Sequence, residues 1–353
     1  FKIGGRMTRK VKIGNIYVGG GQSVKVQSMC TVKTSRVDEV CEQIAALEDA
    51  GCEIIRVSVL DEEDAAAITA VKSRINIPLV ADIHFSAKLA VAAIEAGCDK
   101  VRINPGNIGG EDKVKLVADC IRAHGIPVRV GANTGSIERQ YLEKYGVSER
   151  SLVESALHSV AMLEKYGINN IVISVKASSV PLTVRSYRLL SRRTGYPLHI
   201  GVTEAGTYRA ALVKSSVALG ALLLDGIGDT MRVSITGDPV REIGAARDIL
   251  RAVGLEKDFA DVISCPTCGR CQWDSSGLAE EVSALVQNCR KPLKIAVMGC
   301  VVNGPGEAAE ADIGIAGSKD YCVIFKKGKL LRRVPAAEAR TEFLKEIKDL
   351  TDG

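Results

Sequence analysis

The sequence of 353 residues predicts a (β/α)8 TIM-type barrel followed by a smaller α+β domain. Short β-branched segments alternate with longer helical patterns eight times before Gly254. Strict alternation calls for parallel strands joined by right-handed crossovers, and eight such units in about 250 residues match a closed barrel. An open doubly wound sheet is the alternative that this alternation allows. We therefore expect a barrel over residues 7–254 and a second domain over residues 255–353.

Glycine residues mark the ends of the predicted helices. Helical patterns end at glycines such as Gly51, Gly97 and Gly220, because glycine tolerates the left-handed conformation that terminates a helix. The predicted barrel strands are 24–28, 53–59, 77–83, 100–104, 126–132, 170–176, 197–203 and one within 221–235. The predicted barrel helices are 37–50, 61–75, 86–96, 111–124, 148–166, 181–194, 205–219 and 238–253. After Gly254 we expect helices at 277–289 and 336–349, and strands at 294–299, 312–316 and 321–325.

Composition excludes two classes of partner and favours a reducing compartment. A net charge of +5 is small for this length and its basic residues are scattered, which argues against nucleic acid. No apolar stretch approaches the ~20 residues that span a bilayer, and the N-terminus lacks the hydrophobic segment of a signal peptide. Eleven cysteines without an export signal predict a cytoplasmic protein whose thiols serve packing, metals or catalysis.

The carboxyl ends of the predicted strands are unusually polar, and that is where barrel enzymes carry their chemistry. Arg56, Arg102 and Arg129 are each flanked by valine or isoleucine. A guanidinium inside an apolar strand is costly unless it meets an anion. A single arginine of this kind is explained by a structural ion pair, but three, with Lys176 and Arg232 at matching heights, indicate a ligand with two phosphates. The other polar residues at these ends include Asp82, His84, Asn104, Asn133, Ser174, Thr203 and Ser234.

Glu204 follows the seventh predicted strand and precedes a helix. Its carboxylate is placed either to cap that helix or, facing a cationic pocket, to act as a general acid. We take it as the candidate acid.

The cysteines of C-P-T-C, Cys265 and Cys268, have the spacing of a metal or cluster site. Cys300 is our third ligand, because a strand followed by a Gly/Pro loop presents its thiol to another segment. Candidates for the fourth ligand are Cys271, Cys289, Cys322 and Glu307, and spacing alone favours Cys271, as in the C-x2-C-x2-C of bacterial ferredoxins. A structural zinc ribbon on a phosphate-binding module is an alternative, but it leaves the cationic barrel mouth unexplained.

Nine segments in order resemble the bacterial 4-hydroxy-3-methylbut-2-enyl diphosphate synthase family of the non-mevalonate isoprenoid pathway. They are VQSM (26–29), ADIHF (81–85), VRINPGN (101–107), RVGANTGS (129–136), SVKAS (174–178), GVTEAG (201–206), DGIGDTMRVS (225–234), SCPTCGR (264–270) and MGCVVNGPGE (298–307). The likeness covers nearly the whole chain from Met7, and its last three segments are the most specific.

This resemblance implies a 4Fe-4S cluster held by Cys265, Cys268, Cys300 and Glu307. A carboxylate binds iron less tightly than a thiolate, so the fourth iron stays open to substrate. The implied reaction is the two-electron reductive ring opening of 2-C-methyl-D-erythritol 2,4-cyclodiphosphate, with loss of a hydroxyl that Glu204 protonates. The implied and inferred substrate contacts together are Arg56, Asp82, His84, Arg102, Asn104, Arg129, Asn133, Lys176, Arg232 and Ser234.

The resemblance also implies flavodoxin or ferredoxin as electron donor and a homodimer in which one subunit's cluster domain covers the other's barrel. The chain departs from the family's usual sequence at two places. Cys271 replaces a residue that is usually not a thiol, and the segment CTVKTSR (30–36) differs from the usual residues there. We interpret Cys271 as a bystander. A barrel iron–sulfur reductase of another diphosphate is the competing enzyme.

Overall fold

The structure is a computed structural model that describes residues 7–287, 289–302 and 304–352; the side chains of residues 305, 307 and 352 lie outside this description. The chain divides into two compact units, Phe1–Leu255 and Glu256–Gly353. Each unit is described by itself. None of the described helices is long and apolar enough to cross a membrane.

A short antiparallel hairpin precedes the barrel and was not predicted. It consists of β1 (Val11–Ile13) and β2 (Ile16–Val18). Its three buried side chains, Val11, Ile13 and Val18, pack in one cluster with three inward side chains of the barrel, Ile54, Val80 and Val172. The hairpin therefore covers the amino-terminal end of the barrel with apolar surface.

Eight parallel strands form the barrel, which confirms the predicted fold. They are β3 (Lys25–Met29), β4 (Ile54–Ser58), β5 (Leu79–Asp82), β6 (Lys100–Arg102), β7 (Val128–Asn133), β8 (Ile171–Lys176), β9 (His199–Ile200) and β10 (Thr230–Met231). Neighbouring strands pair in chain order, and β10 pairs with β3. A bridge between Ile173 and Leu198 closes the circle. The seventh strand is shorter than the predicted 197–203, because the chain leaves the ladder at Gly201.

The described part of the barrel unit contains ten α-helices, and β6 and β7 are each followed by two of them. They are α1 (Val37–Asp49), α2 (Glu62–Lys72), α3 (Ala87–Glu95), α4 (Pro105–Ile108), α5 (Glu111–His124), α6 (Arg139–Tyr145), α7 (Glu149–Glu164), α8 (Val180–Arg193), α9 (Tyr208–Leu224) and α10 (Val240–Ala252). The expected helix end at Gly220 is wrong. The buried Leu222 and Leu223 continue the apolar face of α9, which outweighs the cost of about 1 kcal/mol for a glycine inside a helix, and Gly226 follows the end with φ +70°.

Side chains alternate between the two faces of each barrel strand. Valines and isoleucines such as Val57, Val101 and Val130 pack outward in the core beneath the helices. Their neighbours in the chain point inward, and the pairing registers stack these inward side chains in layers of four from alternate strands. From bottom to mouth, the lower layer is Ile54, Lys100, Val172 and Thr230; the middle layer is Gln27, Val80, Arg129 and His199; the upper layer is Arg56, Arg102, Ser174 and Arg232.

The second unit is a five-stranded mixed sheet with helices. Its elements are β11 (Ala260–Ser264), α11 (Ser275–Val286), β12 (Leu293–Met298), α12 (Gly304–Glu307), β13 (Ile313–Gly317), β14 (Tyr321–Lys326), β15 (Lys329–Pro335) and α13 (Ala336–Asp352). The strands lie in chain order, parallel from β11 to β13 and antiparallel from β13 to β15. Strands β11 and β15 were missed because both lie at sheet edges and show few buried apolar residues.

Candidate functional site

A cavity of about 240 Å³ opens at the carboxyl end of the barrel. It brings together nine of the ten predicted substrate contacts: Arg56, Asp82, His84, Arg102, Arg129, Asn133, Lys176, Arg232 and Ser234. Ser174 and Thr203, which are polar strand-end residues, also line it, together with Met29 and Val202. Met29 and Val202 are apolar and were not predicted, although the alternation of side chains along β3 indicates that Met29 points inward.

Asp82 is the carboxylate at the centre of the arginines. Its Oδ1 accepts a hydrogen bond from Arg102 Nη1 at 2.9 Å, and its Oδ2 lies 3.6 Å from Arg56 Nε and from His84 Nε2. Burial by itself raises the pKa of Asp82, but the charge of Arg56, the hydrogen bond with His84 and the charge of Arg102 outweigh it and hold the pKa well below its usual range. Asp82 therefore stays ionised and fixes two guanidinium groups at the cavity wall.

A second carboxylate holds Arg232 from outside the strands. Glu242, in the first turn of α10, accepts hydrogen bonds from Arg232 Nη2 at 3.0 Å and Nε at 3.1 Å. Ser28 Oγ donates to the same carboxylate at 2.9 Å. The remaining Arg232 nitrogen, Nη1, lies 3.6 Å from Met29 Sδ, and Arg56 Nη2 lies 2.8 Å from that sulfur. The two arginines thus converge on one methionine.

Two other cations of the cavity, Arg129 and Lys176, form no ion pair with a carboxylate among the described residues. Arg129 is 3% exposed, and its Nε and Nη1 atoms have no hydrogen-bond partner among the described residues. Burial, then the charges of Arg129 and Arg56, lower the pKa of Lys176 well below its usual value. Burial and the charges of Arg232 and Arg102 lower the pKa of Arg56 to about 10, despite Asp82. An anion with several charges is the ligand that such a cavity stabilises most.

Two predicted residues do not line the cavity. The Asn104 side chain accepts a hydrogen bond from the Gly106 amide at 3.2 Å and so caps α4. Glu204 is exposed and has φ +52°, a conformation that costs a non-glycine residue about 1 kcal/mol or more. Strained backbone of this kind concentrates at functional sites, and Glu204 directly follows the cavity residues Val202 and Thr203.

The predicted cluster ligands follow the ends of two paired strands. Strand β11 runs parallel to β12, with Ser264 opposite Val297, so the segments after them lie at one edge of the sheet. Cys265 follows β11, and its sulfur accepts a hydrogen bond of 3.0 Å from the amide of Gly299, the residue before Cys300. Cys268 is exposed, and hydrogen bonds from Arg270 lower the pKa of its thiol.

Cys271 lies in the same region. A side chain on Gly299 would meet the sulfurs of Cys271 and Cys265 at 3.1 and 3.3 Å. The Cys271 thiol is engaged elsewhere, 3.2 Å from the carbonyl oxygen of Trp273 and 3.3 Å from Ser275 Oγ. The Glu307 side chain lies outside the described residues. Within them, no three His, Cys, Asp or Glu side chains are grouped closely enough to hold a metal ion.

The residues present nevertheless suit an iron–sulfur cluster. Thiolates are the ligands of such clusters, and hydrogen bonds from backbone amides to their sulfurs are one of the features that set cluster potentials. Cys265 accepts such a bond, and Cys268 has a lowered pKa. The thiol ligands and their position at one edge of the sheet therefore fit an iron–sulfur cluster. The described cysteine side chains are not grouped as closely as the ligands of a bound cluster.

The fold and the cavity define an α/β barrel protein with a cationic mouth and a second, cysteine-bearing α+β domain. Models of the GcpE TIM-barrel domain and of the GcpE protein C-terminal domain match residues 8–247 and 261–349. The chain therefore belongs to the GcpE family.

Curated relatives cover nearly the whole chain. The chain is 54% identical to a protein of Caldanaerobacter subterraneus subsp. tengcongensis over 98% of each sequence. It is 52% identical to one of Caldicellulosiruptor saccharolyticus over 98% of this chain and 99% of the relative. Both relatives carry the name 4-hydroxy-3-methylbut-2-en-1-yl diphosphate synthase (flavodoxin).

Solved structures of other barrels resemble the first unit. Dihydropteroate synthase from Stenotrophomonas maltophilia superposes with a TM-score of 0.51 at 15% identity, over 69% of this chain and 97% of that chain. N-acetylneuraminic acid synthetase from Leptospira borgpetersenii superposes with a TM-score of 0.51 at 13% identity, over 70% and 91%. At these identities the likeness shows the fold alone.

Proposed function

We propose that this chain is a 4-hydroxy-3-methylbut-2-enyl diphosphate synthase, an oxidoreductase of isoprenoid biosynthesis. Its substrate is 2-C-methyl-D-erythritol 2,4-cyclodiphosphate. The dianion takes up two electrons and one proton, the ring opens, and the products are the linear diphosphate trianion and one water. The observation that carries this proposal is near full-length identity of 54% to a relative of that name, together with a barrel cavity whose cations outnumber its carboxylates.

The cavity residues divide the work of binding. Arg102 and Arg56, oriented by Asp82, present guanidinium groups to one phosphate, and Arg232, oriented by Glu242, presents a third. Arg129 supplies charge at the bottom of the cavity and Lys176 adds charge to its wall, while His84, Asn133 and Ser234 donate further hydrogen bonds. Asn104 contributes indirectly, because its side chain caps α4 next to the cavity strand β6. Fixed donors hold the ligand in one orientation, which lowers the entropic cost of reaching the transition state.

Glu204 is the proposed proton donor to the leaving hydroxyl. Its strained backbone and its position in the chain directly after the cavity residues Val202 and Thr203 support this role. The proposed cofactor is a 4Fe-4S cluster held by Cys265, Cys268, Cys300 and Glu307. When bound, this group supplies the electrons and a Lewis-acidic iron. The Gly299 amide stabilises negative charge on the Cys265 sulfur.

The proposed electron donor is flavodoxin, which the names of the relatives specify, with ferredoxin as the alternative. We further propose a cytoplasmic homodimer, the arrangement that the family resemblance implies.

The test is turnover by the anaerobically prepared protein. With reduced flavodoxin or dithionite and the cyclic diphosphate, we expect the linear diphosphate by mass spectrometry, and a brown protein with the absorption of a 4Fe-4S cluster. A colourless protein with one zinc ion per chain would contradict the proposal. A loaded cluster that converts another diphosphate but not this one would favour the competing reductase.

A further inference from the structure

Several polar atoms beneath the cavity have no hydrogen-bond partner among the described residues. They are Nζ of Lys100, Nε2 of His199, Nε and Nη1 of Arg129, and both amide atoms of Gln27. Lys100 and His199 are fully buried, and Gln27 is 1% exposed. Most buried polar groups in proteins are paired, so each exception calls for an explanation. Six such atoms on four residues in one region indicate a part of the barrel interior that is arranged to receive additional charge.

These four residues belong to adjacent layers of the barrel interior. Gln27, Arg129 and His199 share the middle layer, and Lys100 lies in the lower layer. The hydrogen bond of 2.8 Å between His199 Nδ1 and Thr230 Oγ1 joins the middle and lower layers. Arg129 also lines the cavity above. Arg129 therefore lies between the layer of Lys100 and the place that a diphosphate would occupy.

The charges that face Lys100 are unfavourable to an ammonium. Arg129 on β7 and Arg56 on β4 both act on it, and His199 on β9 is coupled to it and to Lys176 on β8. The nearest inward carboxylate, Asp82 on β5, is already paired with Arg102 and Arg56. On β3, Gln27 is neutral and Lys25 is paired with Glu53. The other side chains of the lower layer, Ile54, Val172 and Thr230, are not ionisable. The side chains that the described hairpin buries against the barrel, Val11, Ile13 and Val18, are apolar.

We propose that Lys100 is a proton-accepting, positioning residue beneath the diphosphate site: it is a neutral amine in the empty barrel and becomes an ammonium when a diphosphate fills the cavity. Two negative charges above Arg129 offset the excess of positive charge that Asp82 and Glu242 leave in the cavity. The unpaired Gln27 Oε1 and His199 Nε2 lie in the adjacent layer and are the candidate acceptors for the new ammonium. Burial and the charges of Arg129 and Arg56 lower the pKa of Lys100 well below its usual value in the empty barrel, in keeping with this.

The proposal rests on the proposed function and adds to it. Ring opening raises the charge of the bound ligand from two to three negative charges while one proton is consumed overall. An ammonium under Arg129 compensates the charge of the bound diphosphate. Lys100 does not touch the reacting atoms, so its role is to set the charge of the site and the position of Arg129.

Calorimetry with the cyclic diphosphate measures the proton uptake directly. Binding to the cluster-loaded protein at pH 7.5, in buffers of different ionisation enthalpy, gives the protons taken up per ligand. We expect Lys100→Met to lower this uptake by about one proton relative to the unmodified chain, and the slope of log Kd against pH to fall by the same amount. The exposed Lys115→Met, on α5, is the matched control and should change neither value.

The outcomes separate this inference from the proposed function. If the unmodified protein does not bind the cyclic diphosphate, the proposed function fails. If it binds and Lys100→Met shows an unchanged proton uptake and pH slope, the role of Lys100 is overturned and the function stands. Thermal unfolding checks that the variant is folded; methionine among Ile54 and Val172 should make the ligand-free protein more stable.

Discussion

Asp82 and Arg102 form a buried ion pair on neighbouring strands, with 2.9 Å between Oδ1 and Nη1 and side-chain exposures of 4% and 16%. The register of β5 and β6 places them opposite each other. Because Asp82 also faces Arg56 and His84, one carboxylate orients most of one wall of the cavity.

Replacing Asp82 with asparagine should destabilise the protein at neutral pH by about 3 kcal/mol, because the variant leaves two arginines without their shared carboxylate. The folded-state pKa of Asp82 is depressed, so its stabilising effect is present above the unfolded value near 3.9 and is lost as the pH falls below it. Urea unfolding followed by circular dichroism at pH 7, 5 and 3 should show the difference between the two chains narrowing toward pH 3. A difference that stays constant would mean that Asp82 is not the acid-sensitive group.

Arg129→Met should weaken binding of the cyclic diphosphate on the order of 100-fold, since removal of one partner of a buried charge contact costs about 2–5 kcal/mol. The visible spectrum of the cluster should not change, because Arg129 belongs to the barrel unit. Arg122→Met, an exposed arginine on α5, is the control. Equal affinities for the two variants would remove Arg129 from the binding site.

The cysteines predict a pattern of iron content. Serine at position 265, 268 or 300 should abolish most of the bound iron, whereas Cys271→Ser should keep it, because the Cys271 thiol is hydrogen-bonded to Trp273 and Ser275. Glu307→Ala should retain a protein-bound cluster but lose turnover. Iron and sulfide analysis with electron paramagnetic resonance measures both. The assignment is wrong if Cys271→Ser loses the cluster and Glu307→Ala keeps full activity.

Gly131→Ala should prevent the barrel from closing normally. A Cβ at this inward position of β7 would overlap the carbonyl oxygen of Ser174 and approach its Oγ to 2.6 Å. Neither strand can retreat, because Gly131 and Ser174 are paired in the ladder. We expect a loss of stability of about 3 kcal/mol or more, or no soluble protein. Gly135→Ala, at a glycine with open space around it, should be nearly neutral in the same urea titration.

Much of the cavity could be predicted because it depends on local patterns. Arg56, Arg102 and Arg129 lie between β-branched residues that pack outward. The period-two alternation of a strand therefore predicts that these arginine side chains point into the barrel interior. The barrel follows from the regular order of strands and helices, and glycines such as Gly97 and Gly125 mark helix ends. Lys100 could not be predicted as a functional residue from the sequence, because it is the first residue of its strand and barrel enzymes carry their chemistry at the opposite strand ends.

The sequence by itself determined the barrel, the inward-facing cations and the family to which the chain belongs. Only the tertiary structure decided that Asp82 serves Arg102 and Arg56, that Glu242 of α10 holds Arg232, and that an N-terminal hairpin covers the lower end of the barrel. The physical reason is distance along the chain. Strand alternation and helix ends depend on residues that are neighbours in the sequence. The partner of a buried charge depends on strand register and on packing between segments far apart in the sequence.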